Sequence, residues 1–360
     1  MESAIPQHLQ CPRTRRRRIL DDYNPPYPSI VARFDPTLTQ VVMAYFGVQY
    51  RNQSATGDAI KLLKQIAGAF SAHRGPASWD RATYKDQADY TNTLSVGYWS
   101  DPSDFDLWFE RHGADWASGT SEKSMGTFTE IVRPAAARFE TLFSSDTPEG
   151  VGHLASGFSD LVQEHAYWGG MRDRIPLSQT DAMAPVGAPR VVGNARHLRV
   201  IPHENVCLIR SGQDWSATEG EQRRMYLEDV EPLLRAGMDY LRDDGLKIGC
   251  FANRYMTMVD HDGRPVEKSY AMSWWRSLAD LEGWAESHPT HLAIFGAAIN
   301  YLRKVGPAAQ LKLYHEVTVA TVSEQYFEYS NCHPKTGLLR TAGPEFPPGQ
   351  GSASVVEPRW

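Results

Sequence analysis

The most regular hydrophobic pattern lies in the second half of the chain. Asn205–Ser211 alternates Val206, Leu208 and Arg210 against Cys207, Ile209 and Ser211, which predicts a strand. Ser216 with Glu219 three residues on reads as a capping box. The helix it would open carries Val230, Leu233, Leu234, Met238 and Leu241 at helical spacing, with a kink expected at Pro232. Two strand-like runs follow, 247–258 and 266–275, joined through His261-Asp262-Gly263 as a hairpin turn. Ser277 and Asp280 then cap a helix bearing Leu278, Leu281 and Trp284. Pro289 opens another, on which His291, Phe295, Ala298 and Leu302 share a face, and Gly306-Pro307 ends it. A last strand, Leu311–Ala320, turns Leu311, Leu313, His315, Val317 and Val319 to one side. The order is β-α-β-β-α-β, the ferredoxin-like unit.

The first half reads as a degraded version of the same order: a strand over Val41–Tyr50, a helix over Asp58–Phe70, a second strand over Thr91–Trp99 and the start of a second helix at Phe105–Phe109. The two halves share order only, with no convincing sequence match. The expected fold is therefore α+β, a fused pair of ferredoxin-like units placed sheet to sheet, enclosing an apolar space that suits a planar cofactor. Residues 1–36, with Arg15-Arg16-Arg17-Arg18 before Pro25-Pro26-Tyr27-Pro28, are expected to form an extended arm over the body or a partner subunit. Residues 37–200 would make the first unit with inserts and 201–342 the second. The Pro-, Gly- and Ser-rich 343–360 would be a mobile tail.

Composition narrows the class. Of 360 residues, 41% are hydrophobic and 22% charged, as in an ordinary soluble enzyme, and the formal charge of −6 argues against nucleic acid. No apolar run approaches the roughly 18–20 residues that span a bilayer, and no apolar leader with a cleavage site is evident. Cys11, Cys207, Cys250 and Cys332 are scattered without a CxxC pair, which suits a reduced, cytoplasmic protein.

Two histidines stand out because imidazole is rarely left on an apolar face without a task. His291 is either a core residue bonded to a carbonyl or an axial ligand of haem iron, which needs one imidazole and a flat apolar slot. Zinc fits less well, since no other histidine completes a cluster. His288 reads as a helix cap, and His333, in Asn331-Cys332-His333-Pro334, lies in a loop setting. His315, on a Leu/Leu/Val/Val face, either meets a buried acceptor or lines a cavity as an acid. Ser211-Gly212 reads as a turn pair or as a catalytic hydroxyl. Arg172-Asp173-Arg174 reads as a solvated ion-pair cluster, and Glu140 as an ordinary helix or loop carboxylate.

Taken together, Leu208–Trp215, Tyr167–Asp181, Ser287–Phe295 and Leu313–Val317 resemble the haem-containing aldoxime dehydratase family, in the same order along nearly the whole chain, from Glu2-Ser3-Ala4-Ile5 to Asn331-Cys332-His333-Pro334. The resemblance implies a homodimer of fused ferredoxin-like units holding one haem b, ferrous in the active state, that converts an aldoxime to a nitrile and water. By motif it implies His291 as proximal ligand, His315 as distal acid, Ser211 as the hydroxyl that holds the oxime OH, Arg174 as the active-site arginine and Glu140 as a carboxylate assisting His315. Arg172 is the position that could be confused with Arg174. Rival expectations are another haem enzyme of the same fold, peroxidase or chlorite dismutase-like, and a haem carrier or sensor with His315 as a second axial ligand. No nucleic acid or membrane is expected as a partner.

Overall fold

A computed structural model describes residues 1–342 apart from Asp21, 119–124 and Ala195; the tail expected at 343–360 lies outside the described residues. The first half contains β1 (Ala32–Arg33), β2 (Val42–Tyr50), α1 (Thr56–Phe70), β3 (Ser78–Lys85), β4 (Thr91–Trp99), α2 (Pro102–Ser118) and β5 (Met125–Val132). A connecting region follows with β6 (Phe139–Phe143), β7 (Gly157–Phe158), α3 (Gly170–Arg174), β8 (Arg190–Gly193) and β9 (His197–Ile201). The second half has β10 (Val206–Asp214), α4 (Gly220–Met225), α5 (Glu231–Asp244), β11 (Cys250–Val259), β12 (Pro265–Trp275), α6 (Leu278–Ser287), α7 (Pro289–Val305), β13 (Lys312–Ala320) and finally β14 (Gln325–Ser330).

The first half is not degraded. It holds all four strands and both helices of the β-α-β-β-α-β order, and Thr91–Trp99 is its third strand rather than its second. Twelve strands form one antiparallel sheet in the order β6-β13-β10-β12-β11-β3-β4-β2-β5-β14-β9-β8, while β1 pairs with β7 apart from it. Within each half the strands therefore lie second, third, first, fourth, and the halves meet second strand to second strand. That junction is short: Thr257 pairs with Thr83 and Met258 with Ala82. The outer strands are exchanged, since β6 from the connecting region adds to β13 and β14 from the C-terminal region adds to β5.

The two half-sheets face each other, and the space between them is filled. Tyr45, Tyr98 and Phe128 from the first half pack there with Leu208, Tyr270, Met272 and Trp274 from the second. Two ion pairs cross the same space. Arg210 bonds Asp80 at 2.6 Å with Tyr270 under its guanidinium, and Arg254 clasps both oxygens of Glu130 at 2.6 Å. A buried charge is tolerable only when so paired. The apolar slot expected between the sheets is thus occupied by side chains, and a planar cofactor has no room in it. The outer faces are covered by helices: α1 and α2 on the first half, α5 to α7 on the second.

Local signals explain most of the second half. Ser277 Oγ accepts from the Asp280 N–H at the start of α6, and His288 Nδ1 accepts from Thr290 N–H at the start of α7. The box expected at Ser216 does not form. Asp214, at the end of β10, takes the Ser216 hydroxyl at 2.6 Å, and α4 starts only at Gly220. Pro232 does lie within a longer helical run: α4 continues into α5 through a π-helical turn over Tyr226–Val230, and this irregularity lies just before the residue whose N–H is missing. Leu233 points outward, 39% exposed, so it is not on the packed face.

Candidate active site

Antiparallel pairing builds one side of the site. Leu142, His315, Ser211, Ala271 and Tyr255 are successive partners across β6, β13, β10, β12 and β11, so they form one row on one face. The next row on that face runs Glu140, Val317, Ile209, Ser273, Asn253, which puts Glu140 diagonal to His315. Val317, Ile209 and Ala271 pack against α5 to α7, so this is the helix-covered face. The opposite face of the same strands carries Glu316 and Arg210, which bond the Tyr98 hydroxyl of the first half, and Tyr314, whose hydroxyl accepts from Arg210. β13 is therefore buried on both faces, a feature its simple alternation concealed.

Ser211-Gly212 is not a turn. It lies inside β10, and the glycine is required because a Cβ there would sit 2.1 Å from the Tyr314 ring lying across it. Ser211 is half-buried, and among the described residues its hydroxyl has no hydrogen-bond partner.

Arg174 ends the short helix α3 and ties the site together. Its Nε and Nη2 donate to the two Glu140 oxygens at 2.7 and 2.9 Å, and its Nη1 donates to the Glu164 carbonyl at 2.6 Å. The same Nη2 lies 2.7 Å from His315 Nε2, which is also 3.1 Å from Glu140 Oε1. The Arg174 and Glu140 side chains are 3% and 1% exposed, so this is a buried pair rather than a solvated one. Burial pushes the Glu140 carboxyl up, but the charges and hydrogen bonds of Arg174 and His315 outweigh it and hold Glu140 below the ordinary glutamate range. Glu140 is on strand β6, not in a helix or loop. Arg172 points elsewhere, to Glu282 on α6 at 2.6 Å and the Ala182 carbonyl at 2.7 Å.

This triad accepts His315 in two protonation states. A guanidinium only donates and an ionised carboxylate only accepts. Nε2 bearing a proton is therefore matched by Glu140, and bare Nε2 is matched by Arg174.

His291 comes from the helix layer that covers this face. Its Nδ1 lies 2.7 Å from the Ala285 carbonyl, an acceptor, so Nδ1 carries the proton and Nε2 keeps its lone pair. Burial lowers its pKa, only partly opposed by that hydrogen bond, which favours the neutral, ligating form. Nε2 has no protein partner among the described residues. Trp284 and Trp168 set their rings edge-on to the imidazole, and Trp168 also contacts Phe295. α7 is apolar over His291–Ile299, yet Tyr301 is its one buried residue. A lone imidazole with a fixed tautomer on a mostly apolar, incompletely covered helix fits a haem ligand. His288 is used as the cap and stacks on Tyr240, while His333 Nδ1 accepts from Lys335 N–H in its loop.

Sequence reading missed Glu164 and the Trp168 and Trp284 walls. The Trp168-Gly169-Gly170 cluster was a usable signal for one of them; nothing local marks Glu164, whose contribution is a backbone carbonyl.

Comparison with known proteins gives the family. The sequence profile of the haem-containing dehydratases matches residues 44–338, and the chain belongs to that family. It is 45% identical over 350 residues to the aliphatic aldoxime dehydratase of Pseudomonas chlororaphis, covering 95% of this chain and 99% of the relative. It is 31% identical over 330 residues to the phenylacetaldoxime dehydratase of a Bacillus species, covering 89% and 93%. Aldoxime dehydratases are lyases that make nitriles. Two crystal structures superpose with a TM-score of 0.90: an aldoxime dehydratase 44% identical (94% of this chain, 98% of that one) and another, 43% identical, in complex with butyraldoxime (94% and 96%). Among the described residues, no helix is long and apolar enough to cross a membrane.

Proposed function

We propose that this chain dehydrates aldoximes, R–CH=N–OH → R–C≡N + H2O, with His291 holding the haem iron and with His315, Ser211, Arg174 and Glu140 handling the proton and the oxime hydroxyl. The reading rests above all on the buried Arg174–Glu140 pair closing on His315 Nε2, beside Ser211 and on the helix-covered face. Haem b in its ferrous state, when bound, would supply the iron that takes the oxime nitrogen and feeds electron density towards the N–O bond. The fold is read as two fused ferredoxin-like units, and the protein as a cytoplasmic homodimer, on the strength of strand order and family resemblance.

The chain's own residues act as follows. Hydroxide leaves poorly, so protonated His315 gives a proton to the oxime oxygen as the N–O bond breaks, and that bond's electron pair departs with water. The neutral imidazole then removes the carbon proton, and the C–H pair becomes the second π bond of the nitrile. The cycle is neutral in protons and electrons. Arg174 receives the bare nitrogen and Glu140 the protonated one, so neither state is left unsatisfied. Ser211 orients the hydroxyl, a contribution of positioning.

The test is a reduced, anaerobic optical titration of the purified protein with an alkyl and an aryl aldoxime, with nitrile analysed at the end. A substrate-dependent change of the haem bands with nitrile formed only under reduction is the expected result. Peroxide-dependent turnover from the oxidised protein, or a six-coordinate resting spectrum with no nitrile, would overturn it in favour of a peroxidase-like enzyme or a carrier.

A further inference from the structure

Resting on the reading of Arg174 and His315 above, we propose that the N-terminal arm is a working part of the active site: residues 2–18 act as a strap that positions Arg174, with Glu164 and Arg17 as its positioning residues. The basic run Arg15–Arg18 has no role in the chemistry just described, yet two of its side chains, Arg17 and Arg18, are committed to the body. Arg17 bonds the Glu164 carboxylate at 3.2 Å, and Arg18 forks onto both oxygens of Glu286 at 2.9 and 2.8 Å.

Glu164 is the link. Its carboxylate, 3% exposed, accepts from the Ala4 N–H at 3.0 Å as well as from Arg17, while its carbonyl takes Arg174 Nη1 at 2.6 Å. The arm thus grips one end of the residue whose other end fixes the guanidinium. The helix carrying Arg174 is gripped too, because buried Asp173 accepts from the Arg18 N–H at 3.0 Å and its carbonyl takes Arg13 at 3.4 Å. The segment between is held in an unfavoured shape: Ala166 has φ +59°, and the Tyr23 hydroxyl spans the His165 and Ala166 carbonyls at 3.0 and 2.9 Å. Gly169, at φ +105°, is needed where Arg18 crosses, since a Cβ would lie 2.6 Å from Arg18 Cδ.

The arm also borders the site directly. A cavity of about 40 Å³ is lined by Ala4, Pro6 and His8 of the arm together with Glu140 and Arg174. Glu140 is held ionised against its burial by Arg174 and His315; Cys207 also lies in its field, while Tyr27, His165 and Tyr167 lie in that of Arg174. Loosening Arg174 leaves burial less opposed, so Glu140 takes a proton at higher pH and the acid side of the activity profile moves up.

Arg17→Ala, Arg17→Lys and Glu164→Gln in the full-length holoenzyme test the strap. Arg17 is one-third exposed, so its loss does not threaten folding. Haem content should stay at the wild-type level. Arg17→Ala and Glu164→Gln should lower kcat by about tenfold, with KM within about twofold. The acid limb should rise by about half a pH unit or more, and Arg17→Lys should restore most of both effects. Backbone amide exchange over 163–175, measured without substrate, should quicken in the two damaging variants. Unchanged exchange with a superimposable pH profile overturns the strap. A fall in kcat that merely tracks lost haem, with the profile unmoved, also overturns it. Absence of aldoxime turnover in the wild type is a different failure: it refutes the proposed function, while the exchange data still judge the strap.

Discussion

Ser211 and His315 are direct partners across β10 and β13, so their side chains leave one face of the sheet side by side. That single pairing places a hydroxyl with no partner among the described residues next to an imidazole already tied to a buried ion pair. Register fixes it: a slip by one residue would exchange Ser211 for Arg210 or Gly212 and turn the row towards the first half.

Ser211→Ala keeps the strand and its pairing, because only an unpartnered hydroxyl is lost. Haem content should be unchanged and kcat should fall by about tenfold to a hundredfold, the range expected when positioning alone is lost. Steady-state nitrile formation under reduction reads this out, and a wild-type rate would return Ser211 to a purely structural place in β10.

His315→Ala removes the group that protonates the leaving oxygen. Its side chain is 21% exposed, so the cavity left is open to water and the fold tolerates it. Haem should remain bound while turnover drops by about 10²–10⁴-fold, the usual worth of a positioned acid–base. Turnover within threefold of wild type would show that the proton comes from elsewhere.

His291→Ala acts on the other layer. Changes in the surroundings of a metal ligand already cost about 10–100-fold in affinity, so loss of the ligand itself should cut haem occupancy by at least about tenfold. The Soret band per protein is the measurement, with far-UV dichroism as the check on folding. Full occupancy in a folded variant would transfer the ligand role from His291.

Much of the second half is legible because its signals are local. Ser277 and His288 cap helices as their positions suggest, and the alternation over 311–320 is a strand. The first half hid its second and fourth strands for a physical reason. β5 is buried at all eight positions and includes Thr127, Thr129 and Glu130, so period-2 alternation is absent. Glu130 survives there because Arg254, 124 residues away, meets it. The site divides in the same way. Histidines on apolar faces announce themselves, whereas the choice between Arg172 and Arg174 depends on partners at Glu282 and Glu140, far off in sequence. The filled space between the half-sheets was not foreseen either, because the partners of buried Arg210 and Arg254, Asp80 and Glu130, lie far off in sequence.

Glu140→Gln separates stability from chemistry through pH. In the wild type the Glu140 pKa is depressed on folding, so its ionisation contributes stability that is fully present above the unfolded value, near 4.5, and fades as pH falls through the lower folded value. Glutamine cannot compensate Arg174, which stays buried beside the Glu164 carbonyl. Breaking one side of such a pair typically costs about 3–5 kcal/mol. Urea unfolding at pH 7 should show a loss of that order for Glu140→Gln. The gap between wild type and variant should then narrow below about pH 4, as the wild-type carboxylate protonates and loses the same interaction. A gap that is constant from pH 7 to 3.5 would mean that Glu140 packs in this site without its charge contributing to the fold.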